Sequence, residues 1–203
     1  MDKCLYKRYL DILHEELLPA MGCTEPISVA YAAALARDTL GAIPESVHIS
    51  VSGNILKNVK SVVVPNTGGL KGVTSAAAAG IVGGTAEKKL EVISSVTPSD
   101  KGRISEYLKN TEFSVEQSRS GCIFDITVKV YSGTQSASVR IAGHHTNVVH
   151  IDKNGEDILD VKVNNEETDC CADRNILTID GIIGFADSVK TEDVKEIIER
   201  LGV

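Results

Sequence analysis

The sequence predicts an α+β fold, a helical core region carrying an inserted α+β module built on an antiparallel sheet. Three patterns carry that expectation. Leu5, Tyr9, Ile12, Leu13 and Leu17 recur at helical spacing near the N-terminus, and the nearly uncharged, alanine-rich run Ile27–Ala36 follows them. Along 123–131, Phe124, Ile126, Val128 and Val130 alternate with Asp125, Thr127 and Lys129, the period of a strand with one wet face. Asn154-Gly155 lies between two apolar-rich runs and signals a tight hairpin.

Taken in order, helices over 3–18 and 26–40 open the chain. Thr24 suits the cap of the second, and Pro26 suits its first turn, where no intrahelical donor is lost. Gly41-Ala42-Ile43-Pro44 ends it. Val47–Val51 alternates as a strand that Gly53-Asn54 breaks, and Val62–Val64 reads as a second short strand. The run from Val73 to Gly84 is a helix whose alanines and glycines imply close packing on several faces. A helix over 99–109 precedes strands at 113–117, 123–131 and 135–141, expected as successive antiparallel neighbours with a turn at Ser132-Gly133. Strands at 147–151 and 158–163 flank the Asn154-Gly155 turn. Residues 164–174 form a polar loop, and helices start at Thr178 and Thr191, the latter with Glu192 and Asp193 in its first turn and Gly202 past its end. The expected domains are 1–86 with 166–203 as the helical core region, and 87–165 as the inserted module.

Composition narrows the function classes. The chain has 203 residues, no tryptophan and 4% aromatic residues, so its core must be built from Ala, Val, Ile and Leu. A net charge of −7 with no dense basic cluster argues against nucleic acid as a partner. The charged N-terminus lacks a signal-peptide core, and the most apolar run, 72–84, is too short to span a bilayer. No membrane partner is expected, and the localisation read from this is cytoplasmic. In a reducing compartment the five cysteines are thiols or ligands rather than a disulfide framework.

The most informative stretch is Gly22-Cys23-Thr24-Glu25-Pro26, which sets Cys23 at the mouth of the alanine-rich helix. Unpaired N–H groups and the helix dipole there favour a thiolate, the nucleophilic and metal-binding form of cysteine. The plainer alternative is a small buried hydrophobe. Glu25 reads either as a catalytic base or as a first-turn acid favoured by the dipole. Asn66-Thr67-Gly68-Gly69-Leu70-Lys71-Gly72 opens onto the next helix. It reads evenly as an anion cradle, with Lys71 adding charge, or as a tight turn into a packed helix. The spacing is not that of a P-loop. His144-His145-Thr146-Asn147 ends a strand, where adjacent histidines point to opposite faces and so do not share one metal. One of them pointing into a site would serve as an acid, a base or a carboxylate binder; otherwise both are solvated. Cys170-Cys171 lies in an acidic loop that opposes thiolate formation, and Cys4 and Cys122 read as structural.

Cys23-Thr24-Glu25-Pro26 with its alanine helix, Ser52-Gly53-Asn54-Ile55 with Lys57-Asn58, Val64-Pro65-Asn66-Thr67-Gly68-Gly69 with Lys71-Gly72, and His145-Thr146-Asn147-Val148-Val149 occur here in that order. Together they resemble the L-cysteine desulfidase family, also described as serine dehydratase alpha-chain-like. The resemblance implies an iron–sulfur lyase that performs β-elimination on a small amino acid, with L-cysteine giving pyruvate, ammonia and hydrogen sulfide. An amino-acid-binding module without catalysis and an L-serine dehydratase are the alternatives. The same resemblance implies a [4Fe-4S] cluster with Cys23 as one ligand and its other cysteines outside this chain. It implies His145 and Glu25 as catalytic groups. The implied substrate-binding residues are Thr24, Asn54, Thr67, Gly68, Gly69, Lys71, Thr146 and Asn147. His144 stands where the serine dehydratase signature has serine. On this expectation the chain is an N-terminal portion, inactive alone. Its partners are the C-terminal portion or a partner chain, the amino-acid substrate, and a further copy of itself through an exposed apolar patch.

Overall fold

The computed structural model describes residues 2–162 and 174–200. In chain order its elements are α1 (Lys3–Glu16), α2 (Thr24–Leu40), β1 (Ser46–Val51), α3 (Gly53–Val59), α4 (Val73–Gly83), α5 (Pro98–Asn110), β2 (Glu112–Gln117), β3 (Asp125–Ser132), β4 (Gln135–Ala142), β5 (Val148–Lys153), β6 (Glu156–Asp160), α6 (Ile179–Ser188) and α7 (Thr191–Arg200). Short 3₁₀ turns occupy Ala86–Glu91 and Arg174–Ile176. The fold is α+β, as the patterning predicts. Its contacts divide it into two units, Met1–Pro19 with Glu166–Val203, and Ala20–Asn165. Residues 20–86, which the sequence reading groups with the C-terminal helices, contribute β1 to the sheet that also holds the strands after 112.

In the unit 20–165, α2 is almost wholly buried because it carries small apolar residues on every side, Val29, Ala30, Ala32, Ala33, Ala34 and Ala36 among them. Its partner α4 is just as small-sided. A Cβ placed on Gly80 would sit 2.0 Å from the Ala30 carbonyl oxygen, so the two backbones touch where only glycine fits. The helices run parallel: Gly84 lies against Ala34, and the Arg37 guanidinium donates to the carbonyls of Ile81 at 2.8 Å and Gly84 at 3.1 Å. Those carbonyls end α4 without intrahelical donors, and a cation there also complements the helix dipole. At the other end Gly22 meets Pro65, so the turns that lead into both helices are neighbours.

The pair packs on a six-stranded sheet ordered β2-β1-β3-β4-β5-β6. Val47, Ile49, Val51, Ile126, Val128, Val130, Val139 and Ile141 fill the buried face. One expectation is corrected here. The strand at 113–117 is not an antiparallel neighbour of the next strand; β2 lies at the sheet edge, parallel to β1, and β1 sits between β2 and β3. A parallel pair needs a long crossover, which α3, α4 and α5 supply. The β1 slot also matches side chains, with Ile49 opposite Val128 and Val47 opposite Val130 on the core face. The Asn154-Gly155 turn joins β5 to β6 with φ of 56° and 83°, both left-handed as a type I′ turn requires.

Three further local readings change. Gly53-Asn54 does more than end β1; it begins α3. Residues 62–64 make only a single bridge, Val63 to Lys71, because the chain reverses through Asn66, Gly68 and Gly69, all at positive φ. Asp125, expected on the wet face, is 1% exposed. The loop after β2 folds over it, so that its carboxylate accepts from Ser118 and Ser120 hydroxyls, both at 2.5 Å, and from Arg140 Nε at 2.7 Å. A charge that deep persists because it is fully paired.

In the other unit, Phe185 of α6 stacks on Tyr9 of α1 with ring centroids 5.1 Å apart. The Tyr6 hydroxyl donates to Asp193 of α7 at 2.6 Å. Helices start at Thr178, whose hydroxyl accepts from the Gly181 amide, and at Thr191, as expected. Cys170-Cys171 and Gly202 lie outside the described residues. Among the described residues no helix is long and apolar enough to cross a membrane.

The helix contact yields a test by urea denaturation. Gly80→Ala lowers stability by about 3 kcal/mol through overpacking. Gly102→Ala, in α5 with nothing within 4 Å of the new Cβ, raises it by about 0.5–1 kcal/mol through helix propensity.

Candidate functional site

The site grows from the first turn of α2. Gly22, at φ 142°, brings the chain past Pro65 and delivers Cys23 as the residue before the helix. Cys23 itself is the N-cap, and no side chain caps the helix. The expected cap, Thr24, lies one residue further on and inside the helix, where its carbonyl accepts from the Ser28 hydroxyl at 2.9 Å. Glu25, one residue on, turns back to the sulfur: Cys23 Sγ donates to Glu25 Oε2 at 2.9 Å. The other carboxylate oxygen accepts from Asn58 Nδ2 at 3.3 Å. His145 lies within electrostatic reach of Glu25, and the Phe124 ring packs on the imidazole with centroids 4.6 Å apart. The Gly143 amide donates to the Phe124 carbonyl at 3.0 Å, tying the two loops that carry these rings.

The charge states follow from these contacts. The Cys23 thiol is pushed above its ordinary value, first by desolvation of the sulfur, although the residue as a whole is exposed, and then by its bond to Glu25. The expectation of an acidified thiolate at a helix start is therefore corrected. A full carboxylate charge at hydrogen-bond distance outweighs a helix end worth about half a charge. The Glu25 carboxyl is lowered, chiefly by the Cys23 hydrogen bond, with Asn58 and the His145 charge adding to it. His145 is lowered by burial, against the opposing pull of Glu25. Near neutral pH the cluster thus holds a protonated thiol beside two proton acceptors, an ionised carboxylate and a neutral imidazole.

The other sequence-derived candidates fall in different places. His144 is exposed and His145 half-buried, both in the turn that follows β4 rather than on a strand. Thr146 is half-buried beside them, and Asn147 closes the β4–β5 connection by donating from Nδ2 to the Ala142 carbonyl at 2.8 Å. Thr67 is 3% exposed and braces the glycine-rich turn from inside, donating to the Val64 carbonyl at 2.7 Å. Gly68 and Gly69, at φ 77° and 99°, shape the outside of that turn. Lys71 is exposed, and its carbonyl accepts from Ser75. Asn54 is exposed on α3, one turn before Asn58 and so on the same side of that helix. Sequence reasoning left Asn58 and Phe124 out of the site. The i, i+4 spacing of Asn54 and Asn58 was a usable signal; nothing in Phe124 distinguished it from a core strand residue.

A [4Fe-4S] cluster needs several thiolates. Here Cys23 is joined by a carboxylate, an amide and an imidazole, and Cys122 lies by Arg140, with 3.9 Å between Nη2 and Sγ. Among the described residues no group of three or more His, Cys, Asp or Glu side chains converges on one point. The expected cluster takes its other cysteines from outside this chain, and no chemical step is derived through one.

The chain is similar to several proteins named UPF0597 protein. The chain is 50% identical to one from Desulfitobacterium hafniense (strain Y51) over 195 residues, which covers 96% of this chain and 45% of that protein. It is 41% identical to one from Treponema denticola, covering 98% of this chain and 47% of that protein. A third, from Lachnoclostridium phytofermentans, is 38% identical over 97% of this chain and 47% of its own length. The chain spans about half the length of the curated relatives it matches. No family model matches it, and no solved structure does. These relatives overturn the expected kinship with the L-cysteine desulfidase or serine dehydratase alpha-chain-like family. With it goes the reading of this chain as the N-terminal portion of an iron–sulfur lyase, since similarity along nearly the whole chain is to proteins named UPF0597.

The electrostatics predict how Cys23 titrates. Glu25→Gln lowers its pKa, because a thiolate there no longer faces a carboxylate, and so speeds its alkylation at neutral pH. The same change lowers the His145 pKa further, because the imidazolium loses its counter-charge. Thiolate absorbance and imidazole NMR shifts followed against pH check both directions.

Proposed function

We propose that the unit 20–165 carries the acid–base site of an enzyme acting on a small polar metabolite, with Glu25 and His145 as proton acceptors and Cys23 as proton donor. The observation that carries this reading is the 2.9 Å bond from Cys23 Sγ to Glu25 Oε2, made at the open end of a buried helix. It supports a defined proton inventory. Glu25 Oε2 accepts a proton from sulfur or from a bound ligand, Asn58 holds the carboxylate in place through Oε1, and burial keeps His145 unprotonated and able to accept. Groups poised on both sides of a transferred proton are what general acid–base catalysis requires. Phe124 limits how far the imidazole turns.

The matched relatives are about twice as long, and on this reading their further length covers the exposed side of Cys23 and completes the pocket. A cytoplasmic setting belongs to the same proposal, because it keeps Cys23 reduced.

The test is protection followed by turnover. Small polar metabolites are screened for slowing the alkylation of Cys23, and protectors are followed by NMR for conversion by the whole protein. We expect a protector that is converted, with the rate falling about 10²–10⁴-fold in Glu25→Gln and in His145→Asn. Conversion that survives both changes, or protection with no conversion, overturns the reading.

A further inference from the structure

The sheet face turned away from α2 and α4 carries a second constellation, made by strand register alone. Thr127, Arg140, His150 and Asp160 stand side by side across β3 to β6, and Lys129, Ser138, Asp152 and Asp157 form the next row. Between the rows is a groove of about 280 Å³, at the lower end of the size range of small-molecule sites. Its floor is Ser138. That residue is 4% exposed, and among the described residues its hydroxyl has no protein hydrogen-bond partner. The residue is buried but its oxygen is not enclosed, so the hydroxyl is open to a ligand in the groove that Ser138 lines.

The charges around it are sorted by strand. On the β3–β4 side Lys129 has no ion-pair partner among the described residues, while Arg140 is held by Asp125 at 2.7 Å. On the β5–β6 side His150 pairs with Asp157 at 2.9 Å. Asp152 accepts only a long bond from the Gly155 amide at 3.4 Å, and Asp160 has no ion-pair partner among the described residues. The uncompensated groups are therefore one ammonium at one end and two carboxylates at the other. Neither a simple anion nor a simple cation satisfies both ends.

We propose that this groove binds a small zwitterion, its carboxylate on Lys129 and the Ser138 hydroxyl and its ammonium between Asp152 and Asp160. Neighbouring strands stand about 4.8 Å apart, so the ligand's charges are separated by roughly 5–10 Å. That spacing suits an ω-amino acid better than an α-amino acid. The site is distinct from the Cys23 cluster and does not rest on the function proposed for it.

The experiment is an amide NMR titration of the chain with 5-aminovalerate, and with pentanoate and pentylamine as single-charge analogues. The expected result is saturable shifts at Lys129, Ser138 and Asp152, with each analogue at least tenfold weaker. Lys129→Met and Ser138→Ala each weaken the zwitterion about tenfold, and alkylation of Cys23 leaves it unchanged. Lys129 is exposed, so its variant keeps the fold even if a change at Ser138 disturbs it. No saturable shift with any of the three probes overturns the site, as does equal affinity in wild type and Lys129→Met, or shifts that map to Cys23 instead.

Discussion

The contact between Gly80 and the Ala30 carbonyl is the constraint on which the rest of the 20–165 unit depends. Two helices whose facing sides are rich in alanine and glycine bury little area per residue. They hold together by approaching until their backbones touch, where many small dispersion contacts accumulate. That approach holds α4 against α2, which lies on the sheet, and the parallel alignment places both helix starts at the same end. The cysteine turn and the glycine-rich turn therefore meet there, through Gly22 and Pro65, although more than forty residues separate them. Arg37 secures the opposite end by capping α4.

At the shared end, electrostatics are decided by distance. The helix start acts on the Cys23 sulfur as a diffuse partial charge, while Glu25 acts on it as a full charge through a hydrogen bond. Desolvation of the sulfur and, after it, the carboxylate outweigh the helix end, and the proton stays on sulfur. This makes the cluster a store of acceptors around a neutral thiol rather than an activated nucleophile.

The sheet divides its two faces by the same physics. On the core face, apolar residues meet the helices. On the other, polar side chains aligned by register either neutralise each other or remain available. Asp125 shows the first outcome, closed off by two serines and an arginine. Lys129 and Ser138 show the second: among the described residues neither side chain has a hydrogen-bond or ion-pair partner.

Much of this was legible beforehand, and the reasons are local. Period and punctuation located α1, α2, α4, α5 and the β5–β6 hairpin within a few residues, since amphipathic spacing, a glycine past a helix end and Asn-Gly act over short stretches. Cys23, Glu25 and His145 stood out as residues able to do chemistry; the structure bonds Cys23 to Glu25 and sets His145 within electrostatic reach of Glu25. Short motifs carried a family resemblance too far, because they report on turns and helix starts that unrelated sites also use. What tertiary structure decided was everything that depends on chain segments distant in sequence. The insertion of β1 between β2 and β3, the burial of Asp125, the turn-bracing role of Thr67, the reach of Asn58 to Glu25 and the packing of Phe124 on His145 all belong here. The sign of the Cys23 shift belongs with them. Helix position is readable from sequence, but a pKa is set by which charges arrive at the sulfur and by how much water they displace, and folding alone determines that.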